Sequence, residues 1–196
     1  YIYEVWHSLR IPVAFITPPH MESYILAGVP HAVSGLPVGP AQASEAWRVL
    51  DSAGMVIVGP NMQLTSAQQV FFSKLLPTTS VPTILTDEAL SLWQIDRAIQ
   101  DNPAIILLAD VGRLARMTSI LPPIAERGIF GVQEFMRDLP VTSDICIVYD
   151  AVRLYLYIRP GDTLIHTPLI GSAAQVKNLI ISLLPITLYA RSRSVS

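Results

Sequence analysis

The chain has 196 residues, 51% of them apolar and only 14% charged, with a formal net charge of -2. That length and apolar fraction suit one folded domain with a large core and exclude global disorder. The charge leaves no electrostatic footprint for nucleic acid, and a single cysteine, Cys146, excludes an intramolecular disulfide framework and any multi-cysteine metal site.

An ordinary soluble domain carries roughly 25% charged residues, and lysine occurs here only at Lys74 and Lys177. So little charge points to surface covered by other chains, hence to a homo-oligomer or a related subunit; the alternative is a polar shell built of Ser, Thr, Gln and Pro, in which the chain is rich. Residues 1–10 hold no signal-peptide pattern. The most apolar stretch, Leu179 to Ala190, is interrupted by Pro185 and falls short of the roughly 20 residues of a spanning helix. The expectation is a cytoplasmic protein with no membrane partner. The chain lacks an initiator methionine, which leaves open whether residues precede Tyr1 in the natural protein.

In chain order, Ile11–Thr17 reads as a buried strand, followed by a helix over His20–Ala27 behind Pro18 and Pro19. A weaker strand over His31–Pro37 and a helix over Ala41–Ala53 come next. Met55–Gly59 is a β-branched strand; a Pro60-Asn61 turn leads to a helix from Thr65 to Leu76, capped by Thr65 or Ser66. Pro82–Asp87 reads as a strand, Ala89–Gln100 as a helix, Ala104–Ala109 as a strand and Val111–Met117 as a helix. Gly131–Leu139 is a short helix. Ser143–Asp150 and Val152–Arg159 are neighbouring strands. In the second, Val152, Leu154, Leu156 and Ile158 face one way and Arg153, Tyr155, Tyr157 and Arg159 the other, an outward face whose tyrosines and arginines suit packing or an interface. A Pro160-Gly161-Asp162 turn precedes Thr163–Thr167, and the last helix runs over Ser172–Leu184.

Alternation of buried strands and helices predicts an α/β fold. Its sheet is mostly parallel, with an antiparallel edge near residues 143–168. Residues 1–190 read as one domain and residues 191–196 as a flexible tail. Ligands of such sheets sit beyond the carboxyl ends of the strands, which singles out Asn61, Asp87, Asp110, Asp150 and Gly171. Asp87 and Asp110 suit either a helix cap or a carboxylate that holds Mg2+ or a hydroxyl. Arg113 and Arg116 could meet a phosphate or simply be solvated. The four histidines are far apart in the chain, and none has a second ligand at metal spacing, so no metal site is expected. Cys146 reads as a small buried hydrophobe.

Taken together, these segments resemble the ribokinase-like fold, and within it the nucleotide-dependent NAD(P)H-hydrate dehydratase family, over roughly Ala46 to Leu184. VIVGPNMQ stands where the family has a strand ending in Gly-Pro-Gly-Leu-Gly. PTILTDEAL resembles its strand ending in Asp-Ala-Asp-Ala-Leu. LLADVGRLARM has the outline of Thr-Pro-His-Pro-Gly-Glu-Phe-Ala-Arg-Leu, and GVQEFMRDLPVTSDICIVYDAVRLYLY that of the helix, strand and Lys-Gly turn that follow. GSAAQVKNLIISLL has the length and apolar pattern of the Gly-Thr-Gly-Asp helix. The resemblance implies a three-layer domain with helices on both faces of the sheet. It also implies ADP or ATP with Mg2+ as possible cofactors. Nucleotide-pocket candidates are then Tyr149, Asp150, Gly171 and Ser172, and substrate-pocket candidates are Gly59, Asn61, Asp87 and Asp110.

The departures from the family pattern are as informative. Ala173 and Ala174 occupy the Gly-Asp positions, so the catalytic base position is Ala174. Tyr149-Asp150 stands for the Lys-Gly turn, Asp110 for the motif histidine and Arg113 for its glutamate. Asn61 and Gln63 replace glycines that allow close backbone approach to a ligand. The loop before Gly171 is shortened, and the family's first strands and glycine-rich N-terminal segment have no counterpart. The expectation is a degenerate, catalytically inactive member with a binding or assembly role. The alternative is an active ADP- or ATP-dependent dehydratase, or a small-molecule kinase relative, with altered site residues.

Overall fold

The computed structural model describes residues 52–59 and 64–169, together with 16–17, 33–34, 48, 50, 171–172, 175, 177 and 180–181. The expected helix over His20–Ala27, the 191–196 tail and the positions of Asn61 and Ala174 lie outside the described residues.

Strands β1 (Ile16–Thr17) and β2 (Val33–Ser34) form a parallel pair. A second sheet takes β3 (Val56–Val58), β4 (Thr83–Thr86), β5 (Ile105–Asp110), β6 (Ile145–Tyr149), β7 (Arg153–Ile158) and β8 (Thr163–Pro168) in that order. The first four are parallel, and β6–β7 and β7–β8 are antiparallel. The expected α/β architecture with its antiparallel edge is therefore present. The central strands are apolar on both sides, as TILT and IILLA require: β4 is buried throughout, and β5 at every residue but its last.

The helices between the parallel strands are α1 (Ser66–Leu75), α2 (Leu90–Ile95), α3 (Arg97–Gln100), α4 (Val111–Thr118), α5 (Ile124–Arg127) and α6 (Ile129–Asp138). Parallel strands that follow one another in order, joined by right-handed crossovers, stack their connecting helices on one face. That face holds the larger core: Val58, Leu85, Leu107, Ala109, Cys146 and Val148 of the strands meet Phe71, Phe72, Trp93, Leu114, Phe135 and Met136 of the helices. On the opposite face Ile84, Ile106, Leu108 and Ile147 pack with Ile180 and Ile181 of the C-terminal helical residues. Helical residues thus cover both faces.

Local chemistry sets the boundaries. Thr65 caps α1 in a capping box: the Gln68 N–H donates to Thr65 Oγ1 and the Thr65 N–H to Gln68 Oε1, at 3.4 and 2.8 Å. The helix expected over Ala89–Gln100 is divided. A 3-10 turn over Asp87–Ala89 precedes α2, and Asp96 adopts an extended conformation and accepts from the Ala98 N–H, starting α3 afresh. An Asp side chain that competes for local backbone donors breaks a helix this way. Buried Asn102 ties the end of α1 to β5, donating to the Leu76 and Thr79 carbonyls and accepting from the Ala104 N–H.

The alternation in β7 is real, but the faces differ from the reading as an outward surface. Tyr155 and Tyr157 are only 2% exposed and belong to the larger core. Their rings extend the apolar layer beneath the helices, while each hydroxyl reaches an edge carboxylate, Asp150 at 2.8 Å and Asp162 at 2.9 Å. A buried tyrosine needs such a polar exit. Arg159 lies over the Tyr157 ring and donates to the Met136 and Arg137 carbonyls at the end of α6.

Candidate functional site

The carboxyl ends of β3, β4, β5 and β6 lie side by side, since Val58 is level with Leu85, Thr86 with Leu108 and Asp110 with Tyr149. This register collects Gly59, Asp87, Asp110 and Tyr149 along one edge. Gly59 has φ +119, and a Cβ there would stand 1.9 Å from the Thr86 carbonyl oxygen. The glycine is thus required by the close approach of β3's exit to β4.

The two aspartates do different work. Asp110 is the N-cap of α4, its Oδ1 accepting from the Arg113 N–H at 2.9 Å. Asp87 caps nothing. It has φ +48 at the start of the 3-10 turn, and its Oδ2 accepts from Lys177 Nζ at 2.7 Å. The Lys177 and Asp87 side chains are 13% and 22% exposed. A charge pair this sheltered is screened far less than a surface pair. It joins the end of β4 to the C-terminal helical residues across 90 positions of sequence.

Tyr149 is the register partner of Asp110. Burial is the first cause that pushes its phenol above the ordinary value. Asp87 and Asp110 add to the rise, and Arg113 opposes it. Its hydroxyl is therefore held protonated, fit to donate or accept a hydrogen bond and unsuited to act as a base near neutral pH. Arg113 also approaches Glu88 at 3.5 Å. An open depression of about 350 Å3 lies alongside, lined by Leu64, Gln69, Glu88 and Ser91.

The nucleotide-pocket candidates divide. Tyr149 joins the cluster just described, whereas Asp150 belongs to the β6–β7 turn. There its Oδ1 accepts from the Val152 and Arg153 N–H groups, both at 2.7 Å, and its Oδ2 from the Tyr155 hydroxyl. Gly171 has φ +120, and a Cβ there would meet Gln175 Oε1 at 2.8 Å. Ser172 and Gln175 close a second capping box: the Ser172 N–H donates to Gln175 Oε1 at 2.9 Å and the Gln175 N–H to Ser172 Oγ at 3.3 Å. Two backbone donors at this helix start, those of Ser172 and Gln175, are thus bonded to side chains of the chain itself. Asp150, at the β6–β7 turn, is likewise bonded within the chain.

Lys177 is the site residue that sequence reasoning missed. Its signal was available: one lysine inside the apolar run VKNLIISLL, where a sheltered ammonium requires an acidic partner. Which acid it meets follows only from the fold.

Comparison with solved structures finds a hypothetical protein of Streptococcus mutans, TM-score 0.66 at 15% identity, covering 88% of this chain and 62% of that one. It also finds a ribokinase-like superfamily protein of Enterococcus faecalis, TM-score 0.64 at 14% identity, covering 87% of this chain and 60% of that one. The fold is ribokinase-like. At this identity the likeness reaches the fold and not the dehydratase family within it. The chain spans about three fifths of the length of each of these structures. No family model matches the sequence, and no curated protein matches it. Among the described residues no helix is long and apolar enough to cross a membrane.

Proposed function

We propose that this ribokinase-like domain serves in binding or assembly and performs neither NAD(P)H-hydrate dehydration nor phosphoryl transfer. The observation that carries this reading is the internal use of the polar groups at the strand ends. Lys177 neutralises Asp87, Asp110 caps α4, Asp150 holds the β6–β7 turn, and Ser172 with Gln175 caps the last helix. The alanines at 173 and 174 add to it, since the family's base position then has no carboxylate. Loss of one acid–base group costs a factor of about 100 to 10,000.

A second reading keeps the site active with altered residues, as a dehydratase or small-molecule kinase relative. It is favoured by one feature: Asp87, Asp110, Arg113, Tyr149 and Lys177 still converge beside one another. Calorimetric titration with ADP and ATP, with and without Mg2+, beside an assay for turnover of hydrated NADH, separates the two. The first reading expects no turnover and no saturable heat with Mg-nucleotide. Turnover that Asp110→Asn abolishes would establish the second.

A further inference from the structure

Among the described residues β8 is an edge strand of the six-stranded sheet, and its hydrogen-bonding parity is fixed by its neighbour. In the β7–β8 register Arg153 faces Pro168, Tyr155 faces His166, Leu156 faces Ile165 and Ile158 faces Thr163. The Leu169 N–H donates to the Val152 carbonyl at 2.8 Å, which makes that pair a bonded one. Bonded and non-bonded pairs alternate along an antiparallel ladder. Thr163, Ile165 and Thr167 therefore bond inward to β7, while the N–H and C=O groups of Leu164 and His166 point to the open edge. Pro168 is at the same outward parity, so its missing N–H deprives β7 of nothing.

Edge strands are normally guarded by charge, a bulge or proline. The strand TLIHTP carries no Lys, Arg, Asp or Glu, and its proline stands at the very end. Ile165 is 51% exposed. It shares a sheet face with its register partner Leu156, which packs with Leu154 and Leu169 against the smaller core cluster. The exposed isoleucine thus continues an apolar strip that stops at the edge.

We propose that β8 pairs with β8 of a second copy of this chain, antiparallel, about a two-fold axis at Ile165. In that register Leu164 of each copy faces His166 of the other and exchanges both backbone hydrogen bonds with it, four bonds in all. Ile165 meets its own copy at the axis, and Thr163 faces Thr167 on either side, pairs that stabilise antiparallel ladders. Centring the axis on His166 instead sets two imidazoles against each other and leaves Ile165 opposite threonine. An isologous contact of this kind closes on itself and removes both edges. It deepens the assembly side of the reading above, and it does not depend on whether the strand ends hold a nucleotide.

Light scattering on the chromatographed full chain tests it, beside oxidative cross-linking of variants with one added cysteine. The wild type is expected at twice the mass of one chain. I165K, which sets two ammonium groups together at the axis, and H166P, which removes an outward N–H without touching the β7 ladder, are each expected to weaken association roughly tenfold or more. Circular dichroism checks that both remain folded. Facing residues of a non-bonded antiparallel pair lie about 4.5 Å apart at Cα, within disulfide reach. I165C is therefore expected to form a covalent dimer much faster than V152C, whose parent valine is equally open at 60% exposure; Cys146 is buried and does not compete. A monomer throughout the soluble concentration range, an assembly indifferent to both β8 variants, or equal cross-linking of the two cysteines would each overturn the pairing. The nucleotide titration would be unmoved by any of these, so failure of one reading is distinguishable from failure of the other.

Discussion

Strands β3 to β6 and strands β7 to β8 belong to one sheet and are held by different means. In the parallel region the strands are closed in by side chains from both faces, and their register follows from packing. Polar groups gather only where the strands end. The antiparallel region has a half-covered face, and carboxylates hold its turns: Asp150 at the β6–β7 corner and Asp162 at the β7–β8 corner. The same residue type therefore has separate duties. Asp87 and Asp110 stand at the mouth of the parallel strands, where a ligand would come; Asp150 and Asp162 belong to the scaffold.

The largest test of this contrast removes apolar volume from each region. Leu107 is fully buried at the centre of β5, and Leu107→Ala is expected to cost about 2–5 kcal/mol of unfolding free energy. Leu156→Ala, on the partly covered face of β7, is expected to cost distinctly less, because some of the lost contact is already with solvent. Equal losses in urea titrations would mean that the two regions are packed alike.

Next in size is the pair that bridges β4 and the last helix. Lys177→Met leaves a sheltered Asp87 carboxylate without its cation, and a charged hydrogen bond is worth about 1.5–3 kcal/mol. Lys177→Met with Asp87→Asn is expected to recover some of the loss, since neither charge is then stranded. A double-mutant cycle with no coupling would sever the link between strand ends and helix. Smaller again is Asp110→Ala, which removes an N-cap and is expected to cost about 1 kcal/mol. A loss much below that would show that α4 does not need its cap.

How much of this was legible in the sequence depended on how local the cause was. MVIVG, PTILTD and AIILLA announce buried strands by composition, and Thr65 announces a helix start, because both causes lie within a few residues. Asp87 and Asp110 looked alike, each following an apolar run. They diverge because one meets a lysine 90 positions away and the other meets its own helix. Tyr155 and Tyr157 beside arginines suggested an exposed face; burial was decided by α6 and by acids placed to receive their hydroxyls. The expected helix at Ala89–Gln100 failed at Asp96, a local signal that the apolar spacing around it obscured. The ribokinase-like order of elements was visible because order survives when individual motif residues do not.

The smallest expected effect concerns Asp162. Hydrogen bonds from Arg137 first, and then from Tyr157, hold its carboxyl below the usual carboxylate range. A group whose folded value is depressed adds stability that is full above its unfolded value, near 4, and drains away as pH falls through the folded one. Asp162→Asn keeps the left-handed backbone at φ +45, which asparagine tolerates; it removes the charge and replaces one of the two oxygens that accept from Arg137 with an NH2 donor. Wild type is therefore expected to be the more stable at pH 7, and the two proteins to converge as the pH is lowered through the range below 4. Because Asp162 is exposed, added salt should shrink the difference at neutral pH. A gap that is independent of both pH and salt would show that the carboxylate holds the β7–β8 corner by shape, as a hydrogen-bond acceptor, and that its charge contributes nothing.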